Sequence, residues 1–141
     1  MTEPMQLAIE LLRDFIQTHP KVDRSRLYVT GVSMGGFGTF DILCHAPDLF
    51  AAALPVSGGG NLIPECKGIW ADIPIWAVTG SGAKDLLVNP DNSRQIFDVL
   101  DAMGSENMRL TQLQTDHLGS WQEVYKPGKL KTMDWLFSQR K

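Results

Sequence analysis

The 141-residue sequence lacks the features that would point to a membrane or to a nucleic acid. None of its apolar runs approaches the roughly 20 residues that a membrane-spanning helix needs. Its 13 basic residues are not clustered, and 16 acidic residues leave a formal charge of -3. Such a chain cannot neutralise a row of phosphates. We therefore expect neither a membrane nor a nucleic acid as a partner.

Cysteine is also scarce, because the chain has only Cys44 and Cys66, and these do not form a C-x-x-C pair. Their spacing predicts neither a zinc site nor a disulfide framework, so we expect both to be buried apolar side chains. The N-terminal stretch "MTEPMQLAIELL" has acidic residues where a secretory signal would have basic ones, and it is typical of a helix start. A cytoplasmic location is the expectation.

What the sequence does have is a regular alternation of strand-like and helix-like segments. Its length predicts a single domain over residues 1–141. The first helix is predicted from Met5 to Ile16 by apolar residues at helical spacing. Strand-like runs follow at 26–30, 51–57, 73–79 and 108–114, and further helices are predicted at 35–46, 91–103 and 130–137. This order predicts an α/β fold, with a mostly parallel sheet of about four strands flanked by helices.

The stretch "RLYVTGVSMGGFGTF" places a serine in a glycine-rich hinge between a predicted strand and a predicted helix. Gly31, Ser33 and Gly35 meet the pattern G-x-S-x-G, in which a sharp strand-to-helix turn exposes the serine hydroxyl at the edge of the sheet. Glycines suit this turn because a Cβ atom would clash there. The hinge therefore predicts Ser33 as a nucleophile.

A second interpretation of the same hinge is a dinucleotide-binding turn. The stretch nearly meets T-G-x-x-x-G-x-G, a pattern of short-chain dehydrogenases, with Phe37 at the last glycine position. Those enzymes also need Tyr-x-x-x-Lys on a helix, and Tyr125 and Lys129 supply these letters. Pro127 and Gly128 lie between them and disfavour a helix. The dehydrogenase reading is therefore the weaker alternative.

A serine nucleophile needs a base to take its proton, and the chain has three histidines. His19 and His45 lie at predicted helix ends, where the helix dipole accounts for a histidine. His117 instead follows the last predicted strand, in the loop "TDHLGSW". Because active sites of such folds gather at the carboxyl ends of the strands, His117 is the predicted base.

The base in turn needs an acid that orients its ring. Asp85 follows the predicted strand 73–79, in the loop "GSGAKDLLV". Asp91 belongs to the first turn of the next predicted helix, and Asp116 is too close to His117 in sequence to orient its ring easily. Asp85 is therefore the predicted orienting acid.

Around these residues the sequence resembles a known group of proteins. "DRSRLYVTGVSMGGFGTFDILCHAPDLFAAALPVSGGG" is similar to the nucleophile-elbow region of α/β-hydrolase serine esterases, in the group of polyhydroxybutyrate depolymerases, feruloyl esterases and predicted peptidases. "DIPIWAVTGSGAKDLLV" resembles their acid loop and "DHLGSWQEVY" their histidine loop. The order serine, aspartate, histidine is also the one found in α/β-hydrolases.

The resemblance implies a role for each residue of the predicted site. Ser33 would be the nucleophile, His117 the general acid and base, and Asp85 its orienter, while the backbone N–H of Met34 would supply one oxyanion-hole donor. The sequence departs from the group at Thr79-Gly80, where His-Gly is usual. It also departs in the spacing of four residues from the histidine to the following tryptophan, which is usually three.

The function that the resemblance implies is hydrolysis of small carboxylic esters through an acyl-enzyme intermediate, without a metal or an organic cofactor. Trp121 and Trp76 are candidates for lining the substrate site. The chain resembles the C-terminal half of the group, so a second oxyanion donor from upstream strands is not expected within it. The alternative is therefore a weak or inactive hydrolase fragment that binds or assembles.

We also expect self-association. In the resembling proteins the strand before the nucleophile is flanked by upstream strands, and this sequence has none to cover Leu27, Val29 and the strand edge. The first helix, Met5 to Ile16, would present surplus apolar surface of the kind that marks interfaces. These features predict a homodimer or a higher homo-oligomer.

Overall fold

The computed structural model describes residues 1–128 and 130–141, and in this part of the chain strands and helices alternate as predicted. Lys129, the lysine of the dehydrogenase alternative, lies outside the described residues. In chain order the elements are α1 (Glu3–Thr18), β1 (Tyr28–Val32), α2 (Met34–His45), β2 (Ala52–Val56), α3 (Pro64–Ala71), β3 (Ile75–Thr79), α4 (Asp91–Ala102), β4 (Met108–Gln112), α5 (His117–Tyr125) and α6 (Thr132–Ser138).

The described strands form one parallel sheet in the order β1-β2-β3-β4. The last residues of β1 and β2, Val32 and Val56, pair with each other, and Val56 also pairs with Val78 near the end of β3. The carboxyl ends of the strands therefore meet at one edge of the sheet. This confirms the predicted α/β class and the predicted number of strands.

Two apolar layers cover the two faces of the sheet, because successive side chains of a strand point to opposite faces. On one face, residues of β2 and β3 pack against helices α1 to α4 in a cluster that includes Ile9, Phe40, Leu43, Trp70, Ile75, Ile96 and Leu100. On the other face, the cluster with α5 and α6 consists of Ala52, Leu54, Val56, Val78, Val124 and Leu136. Since β2 is buried on both faces, it forms the fixed centre of the fold.

Three local predictions differ from the structure. Strand β1 continues through Gly31 to Val32, beyond the predicted end of the strand. Helix α3 was not predicted, although Pro64 and Glu65 in its first turn are usual helix-start residues. His117 is not in a loop but is the first residue of α5. The helix begins there because the Asp116 side chain accepts a hydrogen bond of 2.7 Å from the N–H of Gly119.

The prediction for the cysteines was wrong. Cys44 in α2 and Cys66 in α3 form a disulfide bond, with their Cα atoms 4.9 Å apart. The physical reason is α3 itself, which the sequence pattern did not reveal. Helix α3 packs on α2 and brings Cys66 against Cys44 across 22 residues of chain. The bridge therefore ties together two helices on one face of the sheet.

Strand β1 and helix α1 leave part of the surface unpaired. In the described sheet β1 pairs only with β2, so its other edge is open. Leu7, Leu11 and Phe15 lie four residues apart along α1 and are all exposed, Leu11 by 70%. Leu27 is half-buried. None of the described helices is long and apolar enough to cross a membrane.

Candidate active site

The hinge between β1 and α2 has the geometry of a nucleophile elbow. Ser33 has φ 56° and ψ -119°, a left-handed conformation that costs a non-glycine residue free energy. A Cβ atom added to Gly31 would collide with the backbone carbonyl of Gly35, so the first glycine is needed for close approach. Gly35 has no atom near its own Cβ position. The second tight position is Gly36, where a Cβ would lie 2.5 Å from the Val56 carbonyl oxygen.

The elbow is anchored to the centre of the sheet. The Ser33 N–H donates to the Val56 carbonyl oxygen at 2.9 Å, and the Ser33 carbonyl accepts from Gly36 and Phe37. Met34 is the first residue of α2, so its N–H lies outside the i→i−4 hydrogen-bond pattern of the helix. This N–H is therefore available to an oxyanion beside Ser33.

Asp85 and His117 form a buried pair at the same edge of the sheet. Asp85 lies in the loop after β3 and His117 begins α5 after β4, and they are 4% and 5% exposed. His117 Nδ1 lies 2.9 Å from Asp85 Oδ2. A carboxylate only accepts hydrogen bonds, so Nδ1 carries the proton. In the neutral ring, Nε2 is then left as a proton acceptor.

The Asp85 carboxylate is held on both oxygens. Its Oδ1 accepts from the N–H groups of Leu87 and Val88 at 3.1 Å and 3.0 Å. Burial raises the pKa of Asp85, but the hydrogen bonds from His117, Val88 and Leu87 together lower it below its ordinary value. Asp85 is therefore a carboxylate at neutral pH.

The third predicted residue, Ser33, follows β1 at the same edge of the sheet and makes no hydrogen bond to this pair in the described part of the chain. Within residues 1–128 and 130–141 the Ser33 hydroxyl has no hydrogen-bond partner. Bonds between a nucleophile and its base are often loose before substrate binds. The structure thus joins Asp85 to His117 and presents Ser33 on a strained elbow at the edge where they meet.

The two predicted substrate-lining tryptophans lie in different places. The ring of Trp121 packs edge-on against the His117 ring, with centroids 5.0 Å apart. Trp76 is the second residue of β3, and its Nε1 donates to Thr111 Oγ1 while its ring packs on Trp135. Because Trp76 is three residues before the carboxyl end of β3, the structure does not bring it to the site.

The remaining acids and histidines have structural contacts. Asp91 is the first residue of α4, and Asp116 is the N-cap of α5. His19 Nδ1 lies 2.8 Å from the Phe15 carbonyl oxygen, and His45 is paired with an aspartate one turn earlier in α2. In the described residues none of these side chains hydrogen-bonds to Asp85 or to the His117 ring.

Two serines near the pair were not predicted. Ser57, directly after β2, has its Oγ 3.3 Å from Asp85 Oδ2 and 3.0 Å from Ser120 Oγ. Ser120 in α5 donates to the His117 carbonyl oxygen at 2.7 Å. The position of Ser57 after a strand end was the one sign available in the sequence. As for metals, the described residues contain no group of three His, Cys, Asp or Glu side chains that could hold an ion.

Known proteins match the chain in sequence over its N-terminal part and in structure over nearly its whole length. The model of the prolyl oligopeptidase family matches residues 5–65. Poly(3-hydroxyalkanoate) depolymerase C of Paucimonas lemoignei is 42% identical over 53 residues. The crystal structure of a thermostable esterase covers 99% of the chain at 32% identity, with a TM-score of 0.86. In sequence and in fold the chain resembles the serine-esterase-like group of α/β-hydrolases.

The chain spans only part of each relative. It covers 38% of the length of the thermostable esterase. The segment that matches the depolymerase is 38% of this chain and 13% of the depolymerase. An acylaminoacyl peptidase of Pyrococcus horikoshii has the same fold at 19% identity, with a TM-score of 0.72 over 93% of this chain and 27% of its own. Because the chain has the fold of α/β-hydrolases, the hinge at Ser33 corresponds to the nucleophile elbow of that fold. The fold does not support the alternative of a dinucleotide-binding turn.

Proposed function

We propose that this chain cleaves small carboxylic esters through an acyl-enzyme intermediate. The observation that carries the proposal is the buried hydrogen bond of 2.9 Å between His117 and Asp85, at the sheet edge where the Ser33 elbow ends. It fixes the tautomer in which Nε2 of His117 can accept a proton. The names of two relatives, a thermostable esterase and a poly(3-hydroxyalkanoate) depolymerase, support an ester as the substrate.

In the proposed reaction Ser33 Oγ attacks the ester carbonyl carbon while its proton moves to His117 Nε2. The carbonyl oxygen becomes an oxyanion, which accepts a hydrogen bond from the Met34 N–H. The C–O bond to the alcohol then breaks, and His117 returns the proton to the departing oxygen. Water hydrolyses the acyl-serine by the same steps, and Asp85 remains a carboxylate throughout.

The substrate is proposed to be small because the surroundings of the site are open. Met34 is 87% exposed, and Leu86, Leu87 and Leu118, which directly follow the acid and the base, are exposed as well. These apolar side chains offer surface to a short acyl group without enclosing it. Among the described residues we identify one oxyanion donor, the Met34 N–H, and a hole with one donor stabilises the transition state by about 2.7–4 kcal/mol less than a hole with two. We therefore expect this chain by itself to turn over activated esters slowly.

The test is hydrolysis of 4-nitrophenyl acetate by the wild type and by Ser33→Ala. The matched control is Ser81→Ala, because the Ser81 hydroxyl is buried and has no partner among the described atoms. We expect loss of hydrolysis in Ser33→Ala and a wild-type rate in Ser81→Ala. Equal rates for wild type and Ser33→Ala would contradict the proposal.

The competing function is a hydrolase-like module that only binds or assembles. A fluorophosphonate probe distinguishes the two, because only an activated serine reacts with it. Labelling of the wild type at Ser33 supports the enzyme, and absence of labelling in a folded chain supports the module.

We also propose that the chain forms a homodimer or a higher homo-oligomer. The open edge of β1 and the exposed stripe of Leu7, Leu11 and Phe15 on α1 are surfaces that a second copy would cover. A two-fold axis would let each copy cover the same surface of the other. Light scattering at micromolar concentration tests this, and a stable 15.6 kDa species would contradict it.

A further inference from the structure

The corner at the end of β2, residues 56–58, is hydrogen-bonded both to the elbow and to Asp85. Its Val56 carbonyl accepts the N–H of Ser33, and its next residue, Ser57, contacts Asp85 Oδ2 through the side chain. Ser57 is 1% exposed and has φ 47°, a left-handed conformation that is unfavourable for serine. Strained conformations of this kind persist only where the surrounding structure holds them, and they cluster at functional sites. The position of Ser57 beside the Asp85 carboxylate therefore suggests a role in the site.

The surroundings keep this corner rigid. The Ser57 N–H donates to the Val78 carbonyl oxygen at 2.8 Å, and the Ser93 hydroxyl donates to the Gly58 carbonyl oxygen at 2.8 Å. Gly58 lies so close to Gly36 that a Cβ on either glycine would collide with backbone. The Ser57 hydroxyl is therefore presented to Asp85 from a fixed position.

Counting protons shows where the Ser57 hydroxyl can donate. Ser120 has one O–H, and the bond of 2.7 Å to the His117 carbonyl uses it, so Ser120 can only accept from Ser57. The single proton of Ser57 thus faces two acceptors, Ser120 Oγ at 3.0 Å and Asp85 Oδ2 at 3.3 Å. A charged carboxylate is the stronger acceptor.

We propose that Ser57 is a positioning residue for the site: its hydroxyl, braced by Ser120, holds Asp85 Oδ2 in line with His117 Nδ1. The Val56 carbonyl oxygen also accepts the hydrogen bond from the Ser33 N–H. The corner therefore sets the spacing between the nucleophile and the Asp85–His117 pair. Ser57 acts through these residues and does not touch the reacting atoms. This inference rests on the proposed function.

The experiment compares two variants that both lack the hydroxyl but differ in backbone strain. Ser57→Ala keeps a Cβ at positive φ, whereas Ser57→Gly removes that strain, so Ser57→Gly should be the more stable of the two. We expect kcat for 4-nitrophenyl acetate to fall about tenfold in both, which is the effect of losing one hydrogen bond to a charged group. KM should stay unchanged. Ser81→Ala is the control, with kcat at the wild-type value.

A second readout does not depend on turnover. The proton on His117 Nδ1 is buried and hydrogen-bonded, so it should give a resolved low-field proton NMR resonance in the wild type. In Ser57→Ala and Ser57→Gly this resonance should broaden, because Asp85 is no longer held, whereas Ser81→Ala should leave it unchanged. An inactive wild type would refute the proposed function, and the NMR comparison would still decide the role of Ser57.

The inference is overturned if both Ser57 variants keep the wild-type kcat and the wild-type resonance. It is also overturned if kcat follows thermal stability, with Ser57→Gly close to wild type and Ser57→Ala impaired, because the hydroxyl would then have no part in the effect. A loss confined to KM would assign Ser57 to substrate binding and would likewise exclude a positioning role.

Discussion

Breaking the Cys44–Cys66 disulfide should lower the thermal stability of the chain by a predictable amount. The bridge closes a loop over a sequence separation of 22 residues. Loop-closure entropy for this length corresponds to about 3.4 kcal/mol of stability at 25 °C. For a chain of 141 residues, the average entropy of unfolding converts this free energy into a fall in Tm of about 11 °C.

The assay is thermal unfolding followed by circular dichroism, with and without a phosphine reductant. Wild type should lose about 11 °C of Tm on reduction, and Cys44→Ala/Cys66→Ala should unfold near the temperature of the reduced wild type. The double variant is also the control, because the reductant should not change its Tm. Equal Tm values for oxidised and reduced wild type, with the bridge verified by mass spectrometry, would refute the reasoning.

Three further predictions concern the site and the elbow. Asp85→Asn should lower kcat by about 10⁴-fold by favouring the wrong tautomer of His117, and a kcat within tenfold of wild type would argue against its orienting role. Folding lowers the pKa of Asp85, so the Asp85 carboxylate contributes fully to stability above its unfolded pKa of about 3.9, and this contribution is lost as the pH falls further. Between pH 5 and pH 3 the Tm of Asp85→Asn should therefore fall less than the Tm of the wild type. In urea unfolding, Gly31→Ala should be strongly destabilised and Gly35→Ala should not, because only the Gly31 Cβ would collide with backbone; similar losses for both variants would contradict this.

The parts of the structure that could be predicted from sequence are those with a local cause. The elbow follows from glycines around Ser33 within a strand-to-helix pattern, and Asp85 was found because a strand directly precedes it. Buried strands such as β2 are visible as short apolar runs bounded by glycine or proline. Parallel pairing then follows from the alternation of strands and helices.

The parts that could not be predicted depend on contacts between distant segments. Helix α3 has only eight residues and a weak apolar pattern, so neither it nor the approach of Cys66 to Cys44 could be seen in the sequence. Asp116 caps α5, a role for which Asp is favoured, but the sequence does not show that a helix begins at His117. Ser57 meets Asp85 only through the packing of β2, β3 and α5.

The disulfide also bears on where the protein resides. Disulfides persist in oxidising compartments and are rare in the cytosol. The cytoplasmic location inferred from the N-terminal sequence remains a prediction, and the bridge between Cys44 and Cys66 argues against it. Measuring the thiol state of the protein recovered from its own cells under alkylating conditions would decide between the two.

The order of strands in the sheet has a consequence for synthesis on the ribosome. Strands β2, β3 and β4 each pair with the strand synthesised just before them, so this part of the sheet can extend strand by strand while the chain is still emerging. His117, however, comes only after β4, at the start of α5. A nascent chain can therefore display a finished elbow with Ser33 while the residue that would activate it does not yet exist. The proposed site can therefore act on an ester only after β4 and the start of α5 have been synthesised.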